Sequence, residues 1–297
     1  MFSARHPFVV PLPGGGLLRL DERPLVMGIV NITPDSFAGD GHLDTDSAVR
    51  AALAMEAAGA DLVDVGGEST RPGAEPVGAA QEIARVVPVV RRLARELRIP
   101  ISVDTYKADV AEAALAEGAA VVNDVSALRY DDRLAGVAAR YGAALVLMHT
   151  RGRSKDMYRE AEYRDLLPEI LRELGESVTM AVAAGVAREK LIVDPGIGFA
   201  KRPVHSYGVL ARLDEIVEAL ARPVLVGPSR KSFMRDALGD RLPEAREWGT
   251  AAAVTAAVLA GAHAVRVHAV SEMVQVVRVA EAIRRHARQN SQRVEGS

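Results

Sequence analysis

Short runs of β-branched and other apolar residues alternate with longer alanine-rich stretches of helical period, and the alternation recurs eight times. The runs predict strands at Leu25–Asn31, Leu62–Glu68, Ile101–Thr105, Val121–Ser126, Ala144–His149, Leu191–Pro195, Val224–Gly227 and Ala264–His268. Between them the period predicts helices over Asp46–Ala58, Ala79–Leu97, Lys107–Glu117, Asp132–Tyr141, Leu166–Ala184, Tyr207–Leu220, Ala245–Leu259 and Ser271–Arg288. Strands alternating with helices imply parallel βαβ units. Eight units in about 250 residues fit a single α/β domain, a (β/α)8 TIM barrel, better than a doubly wound sheet.

Gly59, Gly118, Gly142 and Gly185 follow alanine-rich runs, where left-handed C-terminal caps belong. Ahead of the barrel, Phe8–Val10 and Leu17–Leu20 flank Gly14, Gly15 and Gly16. This predicts an N-terminal β-hairpin that caps the barrel bottom. The triplet lacks the following Lys and helix that a phosphate loop needs. The expected organisation is a hairpin and lead-in over 1–24, the barrel over 25–288 and a polar, frayed tail over 289–297.

Composition narrows the function. Of 297 residues 49% are hydrophobic, and the net charge is -2 with both signs well mixed, so no basic footprint points to nucleic acid. The absence of cysteine excludes disulfides, thiolate zinc sites and a Cys nucleophile. Met1–Val10 has no long apolar core of a signal peptide, and the most apolar stretch, Ala251–Ala264, is interrupted by Thr255, Gly261 and His263. A bilayer span needs about 20 apolar residues. The expectation is a soluble, cytoplasmic protein with no membrane contact.

In a TIM barrel the chemistry sits at the C-terminal ends of the strands. Those ends here carry Asn31, Asp64 with Glu68, Asp104, Asn123 with Asp124, His149, Asp194, Ser229 to Lys231, and Arg266 with His268. So many polar groups suit a deep pocket and an enzyme. Residues i and i+2 of a strand share a face, so Arg266 and His268 point the same way. They form either an anion clamp or an Arg–carboxylate pair beside a core histidine, and the residues alone favour neither. Asp104, Asn123 and Asp194 converge from three strands and suit a flat heterocycle with an amidine-like edge, each with a capping or supporting role as the alternative. Asp124 points away from Asn123, toward a structural hydrogen bond.

Two breaker-rich loops follow the first two strands, Thr33 to Phe37 and Gly66 to Gly73, and have the character of lids. The basic run Arg151-Gly152-Arg153-Ser154-Lys155 reads as a solvated face.

Taken in order, eight segments resemble the dihydropteroate synthase family. They are Met27-Gly-Ile-Val-Asn-Ile-Thr-Pro-Asp-Ser-Phe37, Asp64-Val-Gly-Gly-Glu-Ser-Thr-Arg-Pro-Gly73, Ser102-Val-Asp-Thr-Tyr-Lys107, Asn123-Asp-Val-Ser126, Met148-His149, Asp194-Pro-Gly-Ile-Gly-Phe199, Ser229-Arg-Lys-Ser-Phe233 and Arg266-Val-His268. The resemblance runs from the first strand to the last. It implies condensation of 6-hydroxymethyl-7,8-dihydropterin diphosphate with p-aminobenzoate in folate biosynthesis. Asp104, Asn123, Asp194 and Lys231 would then hold the pterin, lined by Met148, Phe199 and Gly227. Asn31, Arg266 and His268 would form the diphosphate site, with Asn31 on Mg2+. Thr70, Arg71 and Ser229 would lie on the p-aminobenzoate side, and Asp35, Ser36 and Phe37 in the first loop. Asn31, Asp104, Lys231, Arg266 and His268 are the candidate catalytic residues.

One departure is visible. The family usually has Asp after the final His, and this chain has Ala269. Alternation places it opposite Arg266 and His268, where it would support the site rather than touch ligand. The rival readings are a pterin-binding methyltransferase-type barrel, which needs no Arg–His clamp, and a non-catalytic paralogue, favoured only by Ala269. The alanine-rich helix Ala245–Leu259 permits close helix approach, and the resemblance implies a homodimer through the late helices.

Overall fold

The chain is described here by a computed structural model covering residues 5–21, 23–32, 45–71, 73–153, 155, 157–159 and 161–295, with side chains to 287. It opens with the hairpin, β1 (Val9–Pro11) and β2 (Leu17–Arg19), paired antiparallel about a turn at Pro13–Gly15. Gly14 and Gly15 make that turn at φ 69° and 82°, a region that suits residues without a Cβ.

The barrel strands are β3 (Leu25–Asn31), β4 (Leu62–Gly66), β5 (Ile101–Asp104), β6 (Val121–Asp124), β7 (Ala144–Met148), β8 (Leu191–Asp194), β9 (Leu225–Val226) and β10 (Ala264–Val267). They run in parallel in the order β8-β7-β6-β5-β4-β3-β10-β9. A bridge between Val193 and Val224, with Val193 N–H on the Pro223 carbonyl at 2.9 Å, closes the ring. Helices α1 (Thr45–Ala57), α2 (Ala79–Glu96), α3 (Ala108–Ala116), α4 (Arg133–Tyr141), α5 (Leu166–Ala183), α6 (Pro203–Ala211), α7 (Leu213–Leu220), α8 (Arg235–Leu238), α9 (Glu247–Leu259) and α10 (Val270–Glu295) lie between and after them.

Alternation along each strand divides the core in two. Val63, Val65, Val103, Val122, Leu145, Leu147 and Val193 pack outward against the helices. Leu25, Met27, Leu62, Val121, Val146 and Ile192 point inward and meet Val10, Leu12, Leu18 and Leu20 of the hairpin region. The hairpin therefore seals the bottom of the barrel, each such side chain contributing about 1.5–3 kcal/mol by its burial. Nearer the top the inward positions turn polar, with Asp64, Asp104, Asn123, Asp194 and Arg266.

Several boundaries differ from the sequence expectation. The stretch Tyr207–Leu220 is two helices that meet at Arg212 (φ -123°), and α6 begins earlier, at Pro203, a favoured first helical residue. Nothing in the sequence explains the break at Arg212. The last helix does not stop at Arg288 before a frayed tail; α10 runs to Glu295, since no glycine or proline intervenes before Gly296. Several strands also end earlier than expected, so that Glu68, Thr105, His149 and His268 lie on the loops above the barrel.

Candidate active site

The floor of the site is a four-residue network among β4, β5, β6 and β10. Arg266 donates from Nε to Asp64 Oδ2 at 2.6 Å and from Nη2 to Asp104 Oδ2 at 2.7 Å. Asn123 Nδ2 donates to the same Asp64 Oδ2 at 2.8 Å. Arg266 therefore makes the carboxylate pair of one of its two readings, a pairing that does not bear on anion binding by its other N–H groups. Burial pushes the Asp104 carboxyl up to about 7; Arg266 pulls it down and the nearby Asp64 charge pushes it up. Asp124 faces its own loop, where Oδ1 accepts from the Ser126 N–H (2.8 Å) and hydroxyl (2.7 Å) and Oδ2 from the Leu128 N–H (2.6 Å).

The opposite wall comes from the ends of β7 and β8. Met148 and Asp194 are register partners, both buried. Asp194 Oδ1 accepts the Gly196 N–H at 2.7 Å, which turns the chain sharply after the strand. Gly196 is at φ 69°, and a Cβ there would fall 1.9 Å from the His149 carbonyl oxygen, so only glycine fits. The loop brings Phe199 beneath Lys231, whose Nζ lies 4.2 Å from the ring centroid and donates to the Ile197 carbonyl. Burial holds the Lys231 ammonium down at about 7, opposed by the attraction of Asp194. Asp194 is in turn raised by burial, with Lys231 opposing. Gly227 lies between the two cations: a Cβ there would be in ordinary contact with both, 3.6 Å from Arg266 Cβ and 3.9 Å from Lys231 Nζ.

The rim is cationic. His268 Nδ1 and the Ser229 hydroxyl are hydrogen-bonded at 2.9 Å, and Ser229 Oγ accepts the His268 backbone N–H (3.2 Å). Burial, and then Arg230, Arg266, Arg71 and Lys231, press the His268 pKa down to about 3, so the ring is neutral. Asn31 ends β3, half-buried, opposite Gly66. Thr70 is half-buried and Arg71 exposed on the loop after β4. Asp35, Ser36 and Phe37 lie outside the described residues.

Comparison with known proteins bears on this geometry. Residues 27–268 match the model of the pterin binding enzyme family. The chain belongs to the pterin-binding enzymes. It is 43% identical to the dihydropteroate synthase of Synechocystis over 93% of this chain and 96% of that one, and 45% identical to that of Bacillus subtilis over 90% of each. Among solved structures it resembles the Xanthomonas albilineans dihydropteroate synthase with 4-aminobenzoic acid (42% identity, TM-score 0.85, 92% and 98% of the two chains). The same enzyme in complex with 7,8-dihydropteroate gives 37% identity and a TM-score of 0.80, over 92% and 98%.

Two features of this pterin-binding barrel escaped the sequence reading. Asp64 was noticed at a strand end but given no task, although it holds two site residues at once. Lys201 was not noticed at all. It is 1% exposed, and its Nζ meets His149 Nδ1 at 2.8 Å, the Phe199 carbonyl at 3.2 Å and the His149 carbonyl at 3.4 Å. His149 Nε2 meets Glu173 at 3.1 Å, and Glu173 also binds Arg129 (2.8 Å) and Arg151. Burial depresses both Lys201 and His149, the latter to about 3. No periodic signal marks Lys201, so only the fold reveals it.

The same network corrects the solvated-face reading of the basic run at Arg151 alone. Arg151 is only 17% exposed, pairs with Glu169 at 2.6 Å and with Glu173, and stacks 4.3 Å over Tyr163. Arg153, 4.4 Å over Tyr130, and Lys155, paired with Glu75 at 2.9 Å, are exposed as expected.

Proposed function

We propose that the protein is a dihydropteroate synthase, a transferase of folate synthesis that joins 6-hydroxymethyl-7,8-dihydropterin diphosphate to p-aminobenzoate. The observation that carries this reading is a buried set of acceptors side by side with cations. Asp104, Asn123 and Asp194 suit the amino and ring N–H groups of a pterin. Beside them Arg266, through the guanidinium edge not bound to Asp64 and Asp104, with Lys231, Arg71 and His268 suits a diphosphate.

In the reaction the C–O bond of the hydroxymethyl arm breaks and its electron pair leaves with diphosphate. The amine lone pair forms the C–N bond, and one proton passes to solvent. The electron-rich dihydropterin spreads positive charge at that carbon, and the carboxylates of Asp104 and Asp194 favour it electrostatically. Arg266 and His268 stabilise the charge growing on the leaving group. An arylamine is already neutral at pH 7, so Thr70, Arg71 and Ser229 need only place it.

The donor set fits a Mg2+ held largely by substrate. Among the described residues no cluster of three or more His, Asp or Glu could hold a metal. Asn31 offers one carboxamide oxygen, and Mg2+ usually takes one or two protein groups with phosphate oxygens and water. Bound there, it would neutralise diphosphate charge.

A homodimer is part of the proposal. α9 carries an outward stripe of Trp248, Ala252 and Ala256, with Trp248 88% exposed. Val204 (69%) on α6, which packs on α9, and Leu242 (73%) in the segment leading into α9 are also exposed. Light scattering tests this: a dimer mass that falls to a monomer in Trp248→Glu is expected, and a monomeric wild type refutes it.

The functional reading is tested by calorimetry with 6-hydroxymethylpterin. Wild type is expected to bind it, and Asp194→Ala to weaken binding by about 2–4 kcal/mol, because ligand donors lose a buried charged partner. Unchanged affinity in Asp194→Ala would refute the pocket.

A further inference from the structure

Asp64 lies in the middle of β4, fully buried, and the mechanism above gives it no task. Its Oδ2 accepts both the Asn123 amide and the Arg266 Nε–H. In the strand order β6-β5-β4-β3-β10 these partners stand two strands away on either side. A single oxygen atom therefore ties the ring-recognition side of the pocket to its anion side.

The geometry limits both partners. The donation to Asp64 decides which end of the Asn123 amide is nitrogen, so its Oδ1 and second N–H remain as an adjacent acceptor and donor. Arg266 uses Nε for Asp64 and Nη2 for Asp104, and two bonds from one edge of a guanidinium fix its plane.

Stability does not account for a carboxylate at this position. Its other oxygen, Oδ1, is buried with no hydrogen-bond partner among the described residues. A buried charge left partly unsatisfied is costly, and well-packed apolar residues often replace buried ion pairs without loss. The value of Asp64 lies in the two bonds made by Oδ2.

We infer that Asp64 is a positioning residue that sets the Asn123 amide and the Arg266 guanidinium together, coupling pterin recognition to anion binding. The inference rests on the pterin and diphosphate reading above. It does not require Asp64 to touch either substrate.

The test compares wild type, Asp64→Asn, Asn123→Ala and the double variant. Calorimetry reads the affinities for 6-hydroxymethylpterin and for inorganic pyrophosphate, and steady-state kinetics read the p-aminobenzoate KM. Asp64→Asn keeps the shape and removes the charge. It is expected to weaken both probes by about tenfold, with the p-aminobenzoate KM unchanged within about twofold, and the melting temperature is read alongside so that affinities are compared only where each variant is folded. In the double variant the pterin loss should not exceed that of Asn123→Ala alone, because the two changes break one interaction. Rescue of either probe's affinity in Asp64→Asn, or additive losses in the cycle, would overturn the inference. A wild type that binds neither probe would instead overturn the functional reading and this inference with it.

Discussion

Replacing Arg266 with alanine removes the guanidinium shared by Asp64 and Asp104, and leaves two carboxyl groups, 0% and 7% exposed, facing one another. Breaking a buried ion pair on one side costs about 3–5 kcal/mol, because the remaining charge is stranded. A domain of this size loses about 2–4 °C of melting temperature per kcal/mol, so a fall of roughly 10 °C is expected. The effect has a pH signature. Asp104 already sits at about 7, above its unfolded value, with Arg266 holding it down. A carboxyl raised on folding lowers stability as pH rises past its unfolded pKa, and the loss grows until the folded pKa is reached. Without Arg266 that folded pKa climbs further, so the deficit of Arg266→Ala should be small near pH 5 and largest near pH 8. Urea denaturation of both proteins at the two pH values measures the difference, and titrations common to both cancel. An equal deficit at both, or none, would show that Arg266 does not restrain these carboxylates.

Two further outcomes follow from single residues. His263 is buried at the hairpin, accepting the Val224 N–H at Nδ1 (3.1 Å) and meeting the His6 carbonyl through Nε2 (2.9 Å), and burial depresses it to about 4. The unfolded imidazole binds its proton first, so this group should cost on the order of 3 kcal/mol of stability as pH drops from 6.5 toward 4, read as the difference between the stability profiles of wild type and His263→Gln; profiles that run parallel in that window would contradict it. Ala269 directly precedes α10, and its carbonyl accepts the Met273 N–H at 3.0 Å, so the cap position lacks a side-chain acceptor. Ala269→Asp should add about 1 kcal/mol, read as a higher melting temperature, and no gain would show that the first turn is already satisfied.

Much of this fold is written in the periodicity of the chain. Valine-rich runs bounded by glycine place the strands, and inward alternation along β10 already sets Arg266 apart from Val265 and Val267, which are fully buried against the helices. Strand ends likewise collect Asp104, Asn123 and Asp194, since a barrel brings together residues distant in sequence. Pairing is less legible. Whether Arg266 meets phosphate or carboxylate depends on Asp64, which lies 202 residues away. Lys201 gains its meaning only when β7 and the loop after β8 are laid side by side. The loop carrying Asp35, Ser36 and Phe37 lies outside the described residues, so its reading rests on resemblance alone.

The central claim is the reaction, and turnover tests it most directly. Purified protein with Mg2+, 6-hydroxymethyl-7,8-dihydropterin diphosphate and isotope-labelled p-aminobenzoate should yield labelled 7,8-dihydropteroate and one diphosphate per product, read by mass spectrometry. The account predicts that product requires all three additions and collapses in Arg266→Ala. Pterin binding without labelled product, under conditions where the protein is folded, would contradict it and leave a pterin-binding barrel that does not perform this condensation.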